Sequence, residues 1–272
     1  VPLINPTGKR KVLPAIHPNA GVTADYRRRL DDLIAEMHCS VMFWLKAQYR
    51  RKPPHMAADA SPANELEDEM RRLGDRWQRR FDMAAEELAR HFAKAAGQRA
   101  DGAFTGALKR AGMTVRFRMS KTVQDITTAA VNANVMLIKT IPRQYLAQVQ
   151  GAVMRSVQQG GDLKTLTDFI EGQYGITRRR AEFIARDQNS KATAAVTRAR
   201  QEELGLFQAK FLHSHGGRQP RIEHVEFSRG THRTGGPYYD VRKGAYLEGV
   251  WTWPGVQPQC KCVSAPVVEG LT

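Results

Sequence analysis

Between Thr23 and Gly205 apolar side chains recur every three or four residues, and proline interrupts the run only at Pro53-Pro54, Pro62 and Pro142. That spacing builds one apolar face per helix and is incompatible with the two-residue period of a strand. The first such segment carries Leu30, Leu33, Ile34, Met37, Val41, Trp44 and Leu45 and is closed by Pro53-Pro54. A second is predicted to start at an Asn64 cap and carries Leu66, Met70, Leu73, Trp77, Phe81, Leu88 and Phe92. Residues 97–112 are rich in small side chains and ambiguous. Met113–Met119 alternates apolar and basic residues, as a short strand or an extended connector would. Helical spacing returns with Val123, Ile126, Ala130 and Leu137. Thr140 is then predicted to cap a separate helix with Pro142 in its first turn, followed by Tyr145, Val149 and Val153. Gly160-Gly161 closes that segment. Asp162 is predicted to cap a short helix bearing Leu163, Leu166, Phe169 and Ile170, and Thr177 to cap another that runs to Gly205.

The two ends differ from this body. Residues 1–21 hold four prolines and read as an extended arm that lies on a partner or stays mobile. After Leu206, Phe207–Leu212 fits a strand, and the remainder is dense in Gly, Pro, aromatic residues and His. The predicted fold is therefore mainly α: a helical body with a small C-terminal α+β region rich in hairpins and loops. The segments are 1–21 (arm), 22–112 (N-terminal helical region), 113–205 (central helical region) and 206–272 (C-terminal β or irregular region).

Charge narrows the partners. The chain has 42 Lys+Arg against 27 Asp+Glu, a formal +15, with 42% hydrophobic residues. This composition excludes global disorder. No stretch reaches the roughly 20 apolar residues of a membrane span, and no apolar signal core is present, so the chain is expected to be soluble and unexported. Residues 1–120 contribute +8, residues 121–212 +5 and residues 213–272 only +2. Basic clusters stand at Lys9-Arg10-Lys11, Arg27-Arg28-Arg29, Arg50-Arg51-Lys52, Arg71-Arg72 with Arg76, Arg79 and Arg80, and Arg178-Arg179-Arg180. Each alone reads as a solvated helix face. Together they make a field suited to a polyanion, whether DNA, RNA or an acidic protein. Arg27, Arg28, Arg29, Arg71, Arg72, Arg76, Arg79, Arg80, Arg178, Arg179 and Arg180 are the candidate nucleic-acid contacts.

Three cysteines, Cys39, Cys260 and Cys262, do not make a disulfide framework, which fits a reducing compartment. Cys260 and Cys262 with His213, His215, His224 and His232 contain enough donors for a metal. However, C-x-C is shorter than the usual zinc knuckle, and two thiols packed in a small domain are the competing reading. Arg218, Arg221 and His224 form R-x-x-R-x-x-H, which could hold a phosphate or carboxylate, or pin hairpin turns to the helix bearing Arg186 and Asp187, for example through an Arg221–Asp187 pair. Trp251, Trp253 and Tyr238-Tyr239 suit base stacking or a half-buried strand.

The order of these motifs carries a resemblance. Arg180-Ala181 through Ile184-Ala185-Arg186, then a strand, Arg221-x-x-His224, a glycine-containing hairpin region, Pro254-Gly255, Cys260-Lys261-Cys262 and Pro266 together resemble the Mu F-like minor head protein family of tailed bacteriophages. The resemblance covers about residues 140–270. Typical members have Thr-Glu where this chain has Asp187-Gln188, and often Asn-Cys-Arg-Cys where it has Gln259-Cys260-Lys261-Cys262, which keeps both thiols. It implies a virion component acting in head morphogenesis, in the capsid interior or at the portal vertex, assembled in the host cytoplasm. The implied partners are the portal protein, the major capsid or scaffold protein, and packaged double-stranded DNA. Arg186, Arg218, Arg221, His224, Cys260 and Cys262 are then the family-motif residues. His224, Cys260 and Cys262 are the candidate ligands of a structural zinc, with no other cofactor expected. A phosphodiesterase or toxin-like effector using His224 and the arginines is the enzymatic alternative.

Overall fold

The computed structural model describes residues 10–51, 61–158, 162–216 and 219–269. Lys9, Lys52, Pro53-Pro54, Gly160-Gly161 and Arg218 lie outside them. Among the described residues the elements are β1 (Lys11–Val12), α1 (Ala20–Arg51), α2 (Ser61–Arg110), α3 (Lys121–Gln158), α4 (Leu163–Glu203), β2 (Gln208–Leu212), α5 (Ile222–Arg229), β3 (Tyr238–Asp240), β4 (Ala245–Leu247), β5 (Val250–Thr252) and β6 (Val263–Val268). The protein is thus mainly α with a small α+β part near its C-terminus.

The helices are longer and fewer than cap chemistry predicts. Thr140 and Pro142 lie inside α3, and Thr177 lies inside α4. The apolar stripe explains the continuity: Ile138, Ile141, Tyr145 and Val149 are buried in sequence across Pro142, as are Ile170, Thr177, Ala181 and Ile184 across Thr177. The two hydroxyls turn back onto their own helices, Thr140 donating to the Leu137 carbonyl and Thr177 to that of Gln173. Likewise Asn64 is not a cap; α2 begins at Ser61 with Pro62 in its first turn and runs through the small-residue stretch to Arg110. At its end Gly112 adopts φ +85°, Gly112 N–H bonds to Lys109 O and Met113 N–H to Leu108 O. This left-handed stop closes the helix and suits glycine because a Cβ would strain there. Asp162 does cap α4, accepting from Lys164 and Thr165 N–H.

Two compact units divide the chain. The first gathers residues 1–23, 92–130 and 186–272, and the second residues 24–91 and 131–185. The division therefore cuts across the linear segments 22–112 and 113–205.

Among the described residues the elements of the second unit are all helices. Its core is formed by the stripes named above together with Leu30, Ile34, Met37, Val41, Leu45, Trp77 and Phe81, all buried. Polar bonds join the helices: Tyr26 donates to Asn134 at 2.9 Å, and His38 reaches Tyr145 at 2.8 Å and stacks on Tyr174.

The first unit holds an antiparallel sheet of order β1-β6-β2-β3 and the β4-β5 hairpin. The hairpin turns on Glu248 (φ +50°) and Gly249 (φ +78°), the double positive φ that matches strand twist. The described part of the arm packs on this chain itself. β1 pairs with β6, and Leu13 and Ile16 are buried with Phe104, Leu108, Leu206 and Val268. Full burial of one such side chain stabilises by about 2 kcal/mol. Met113–Met119 is the extended connector rather than a strand: Met113, Val115 and Phe117 pack on that cluster while Arg116 and Arg118 are exposed.

Candidate functional site

Arg200 organises the first unit and was invisible as a site in the sequence. It is 2% exposed, donates to both carboxylate oxygens of Asp101 at 2.9 and 2.8 Å, to Glu203 at 2.8 Å and to the Arg118 carbonyl at 2.8 Å, and lies over the Phe117 ring. These bonds bind the end of α2 and the connector to α4. A buried guanidinium needs this complete set of acceptors, and the planar fork provides matching donors.

The connector and the helix ends beside it are strongly basic. Lys94, Arg99, Lys109 and Arg110 of α2, Arg116 and Arg118 of the connector and Lys121 of α3 are all exposed. Among the described residues none of the seven has a carboxylate at ion-pair distance; the nearby Asp101 is taken by Arg200. The arginines singled out by sequence clustering are placed differently. Arg27 meets Asp31 and Glu182, Arg28 and Arg29 meet Asp25, Arg71 meets Asp68, Arg72 meets Glu69, Arg80 meets Glu36, and Arg178 meets Asp31. Arg180 donates to Thr140, and Arg76 contacts the Ser40 hydroxyl. Of the eleven, Arg76, Arg79, Arg179 and Arg180 have no ion pair among the described residues. All eleven lie in the second unit, where 20 Lys+Arg face 17 Asp+Glu for a net +3; the first unit has 22 against 10, a net +12. Counting along the chain hid this because three separated segments build the basic unit.

The motif-bearing side chains converge elsewhere in that unit. α5 is a single short helix whose His224 and Phe227, three residues apart, face inward. Nδ1 of His224 lies 3.6 Å from Cys260 Sγ and 3.5 Å from Cys262 Sγ. His224 is 1% exposed and each cysteine 5%, set among Phe211, Phe227, Tyr239 and Leu247. A hydrogen bond from Cys262, with His224 beside it, holds Cys260 below the ordinary thiol value against the cost of burial. Cys262, beside that sulfur and buried, is pushed up. These three residues are the ones that could hold a metal.

The loop bearing the thiols is fixed from α4. Gln259 sits at φ +59°, an uncommon conformation for a residue with a side chain, and its N–H donates to the Asp187 carboxylate at 2.9 Å. Gly255, at φ +83°, passes so close to α4 that a Cβ would stand 3.4 Å from the Ser190 carbonyl and 3.3 Å from that of Cys262. Asp187 also pairs with Lys191, not Arg221. Arg221 instead pairs with Glu248 at 3.2 Å and donates to the Pro258 carbonyl at 2.9 Å, pinning the hairpin turn to the cysteine loop. Ala181, Ile184, Ala185 and Gln188 share a buried face as their spacing predicts, and Arg186 beside them is exposed. Asn189, fully buried, donates to the Asn19 carbonyl and the Thr23 hydroxyl and so holds the start of α1.

The other histidines stay apart from the cluster. His232 lies 3.3 Å from Glu223 and bonds Thr234, while His213 and His215 meet edge to face in the loop after β2. Burial, with His215 and His224 nearby, pushes His213 below the ordinary imidazole value. Trp253 donates to the Val241 carbonyl and carries Arg198 on its ring; Trp251 is 58% exposed beside Tyr246. The cavity between α4 and the sheet, lined by Ser190, Thr193, Thr197, Gln201, Tyr239 and Trp253, measures about 20 Å³, room for one water.

Fold and site together define a mainly α protein with a small α+β unit built around a buried His/Cys/Cys cluster. An uncharacterized protein of Haemophilus influenzae is 34% identical to it over 158 residues, which are 58% of this chain and 33% of that protein. The chain thus spans a third of that relative's length. No family model and no solved structure matches the chain.

Proposed function

We propose that the protein is a minor head protein of a tailed-bacteriophage type of particle, of the Mu F-like kind, which contacts packaged double-stranded DNA through the exposed basic stretch from Lys94 to Lys121. The motif order over residues 140–270 supports the particle assignment. The observation that carries the DNA contact is the uncompensated charge: seven exposed Lys and Arg side chains without a carboxylate partner, on a unit of net +12. Phosphates attract such side chains without regard to base sequence, and binding releases counterions, so affinity falls steeply with salt. Compensated arginines such as Arg28, Arg71 and Arg72 gain less, since each phosphate contact must first displace a carboxylate.

The near-neutral second unit suits protein partners. Phe43, Met83 and Met136 are 77%, 83% and 72% exposed there, apolar side chains of the type that anchor protein contacts. Portal, major capsid or scaffold protein is the expected partner. The enzymatic alternative requires His224 to meet a phosphodiester, and it is 1% exposed with its ring on two thiols.

Electron microscopy of an intact particle tests the assignment directly. Density for this chain at the portal vertex or on the inner shell is expected, and particles that assemble and package DNA fully without it would overturn the reading. For the DNA contact, the purified full chain is expected to bind duplexes of unrelated sequence equally and to lose affinity between low and moderate salt.

A further inference from the structure

We propose that His224, Cys260 and Cys262 form a structural zinc site that staples α5 and the cysteine loop to the sheet. The inference is independent of the DNA reading. Distances carry it. Zinc bonds of about 2.3 Å to sulfur and about 2.0 Å to nitrogen, at a tetrahedral angle of about 109°, place sulfur and nitrogen about 3.5 Å apart. The two Nδ1···Sγ distances are 3.6 and 3.5 Å, and the three donor atoms all lie within 4.8 Å of one another. A single imidazole N–H points at one acceptor. Near-equal approach to two sulfurs is the arrangement of three ligands around a shared cation.

Metal ligands are held in place by bonds from the shell around them. The loop itself is held by Asp187 on Gln259 N–H and by Arg221 on the Pro258 carbonyl. Burial at 1%, 5% and 5% keeps all three side chains from a macromolecular substrate, which separates this cluster from a reactive cysteine. Two thiolates and an imidazole select a borderline-soft divalent ion, and zinc, with no geometric demand of its own, accepts the tetrahedral arrangement. Binding replaces the thiol protons with the metal and releases them to solvent. A water completes the four-coordinate set.

The test uses the full chain. As purified it should contain about one zinc per chain, and cobalt(II) exchanged into it should give an intense thiolate-to-cobalt charge-transfer band with visible bands of tetrahedral strength. Cys260→Ser/Cys262→Ser should lose both signals, and Cys39→Ser, whose thiol is exposed and outside the cluster, should keep both. If the double variant does not fold, the cobalt spectrum of the wild type still decides, because the charge-transfer band reports thiolate ligation directly. Folded wild-type protein with zinc far below stoichiometry and no such band, or zinc retained undiminished in a folded Cys260→Ser/Cys262→Ser variant, would overturn the proposal.

Discussion

The two units use charge differently. The second unit joins its helices by apolar stripes and the buried Tyr26–Asn134 and His38–Tyr145 bonds, and pairs most of its clustered arginines with nearby carboxylates: Arg28 and Arg29 on Asp25, Arg71 on Asp68 and Arg72 on Glu69, each within one helix, and Arg178 on Asp31 between helices. Pairs of this kind each contribute little, so that unit rests on its apolar stripes. The first unit concentrates its polar bonding in a few buried centres: Arg200 on Asp101 and Glu203, Asp187 on Gln259, and His224 between two thiols. That unit has 22 Lys and Arg against 10 Asp and Glu, and with Asp101 and Glu203 committed to Arg200 it leaves basic side chains such as Arg116, Arg118 and Lys121 without a carboxylate partner among the described residues. High arginine density in a sequence is therefore a poor guide to where the free positive charge lies.

The largest effect is expected from Arg200→Ala, which strands Asp101 and releases the connector. Loss of about 3 kcal/mol in denaturant unfolding is expected, with hydrogen exchange rising in residues 92–130 while residues 131–170 stay protected. Uniform loss across both units would break the comparison. Next, Asp187→Ala removes the acceptor for Gln259 N–H and the partner of Lys191, at a cost of about 2 kcal/mol, and Asp187→Asn, which keeps an oxygen for the N–H, should lose less. Gly112→Ala should cost about 1 kcal/mol by thermal unfolding, since the left-handed stop of α2 disfavours a Cβ.

The smallest effect belongs to the second unit. Arg29, with Arg28 and His91, holds Asp25 below the usual carboxylate range, at about 2. A lowered folded value means the stabilisation is present above the unfolded pKa and is lost as pH falls through about 2. Asp25→Asn should flatten the acid limb of the stability profile between about pH 4 and pH 2, and added salt should reduce the difference because the carboxylate is partly open to solvent.

Local chemistry made much of this legible. The helical stripes were readable because a 3.6-residue period is written in neighbouring side chains, and the Asp162 cap because its partners are two and three residues away. Thr140, Asn64 and Thr177 have the same cap chemistry but stand within apolar stripes that continue past them, so packing prevailed over local preference. β1 escaped notice because two residues pair with a strand more than 250 positions later. His224, Cys260 and Cys262 could be named from motif order, but their meeting depends on α5 and the cysteine loop folding onto one sheet. Arg200 and Asp101 left no signal, being 99 residues apart on different helices. The charge division was hidden for the same reason, since it follows the tertiary grouping of segments.

The first unit carries most of the net positive charge, and the proposed DNA contact follows that charge. Equilibrium binding of a duplex across a salt series, compared between Arg116→Ala/Arg118→Ala/Lys121→Ala and Arg28→Ala/Arg71→Ala/Arg72→Ala, tests it most directly. The first variant should bind more weakly, with the salt slope reduced by up to about 2.7 for three lost phosphate contacts, and the second should stay close to the wild-type slope. Equal losses in the two variants, or a larger loss in the second, would contradict the account.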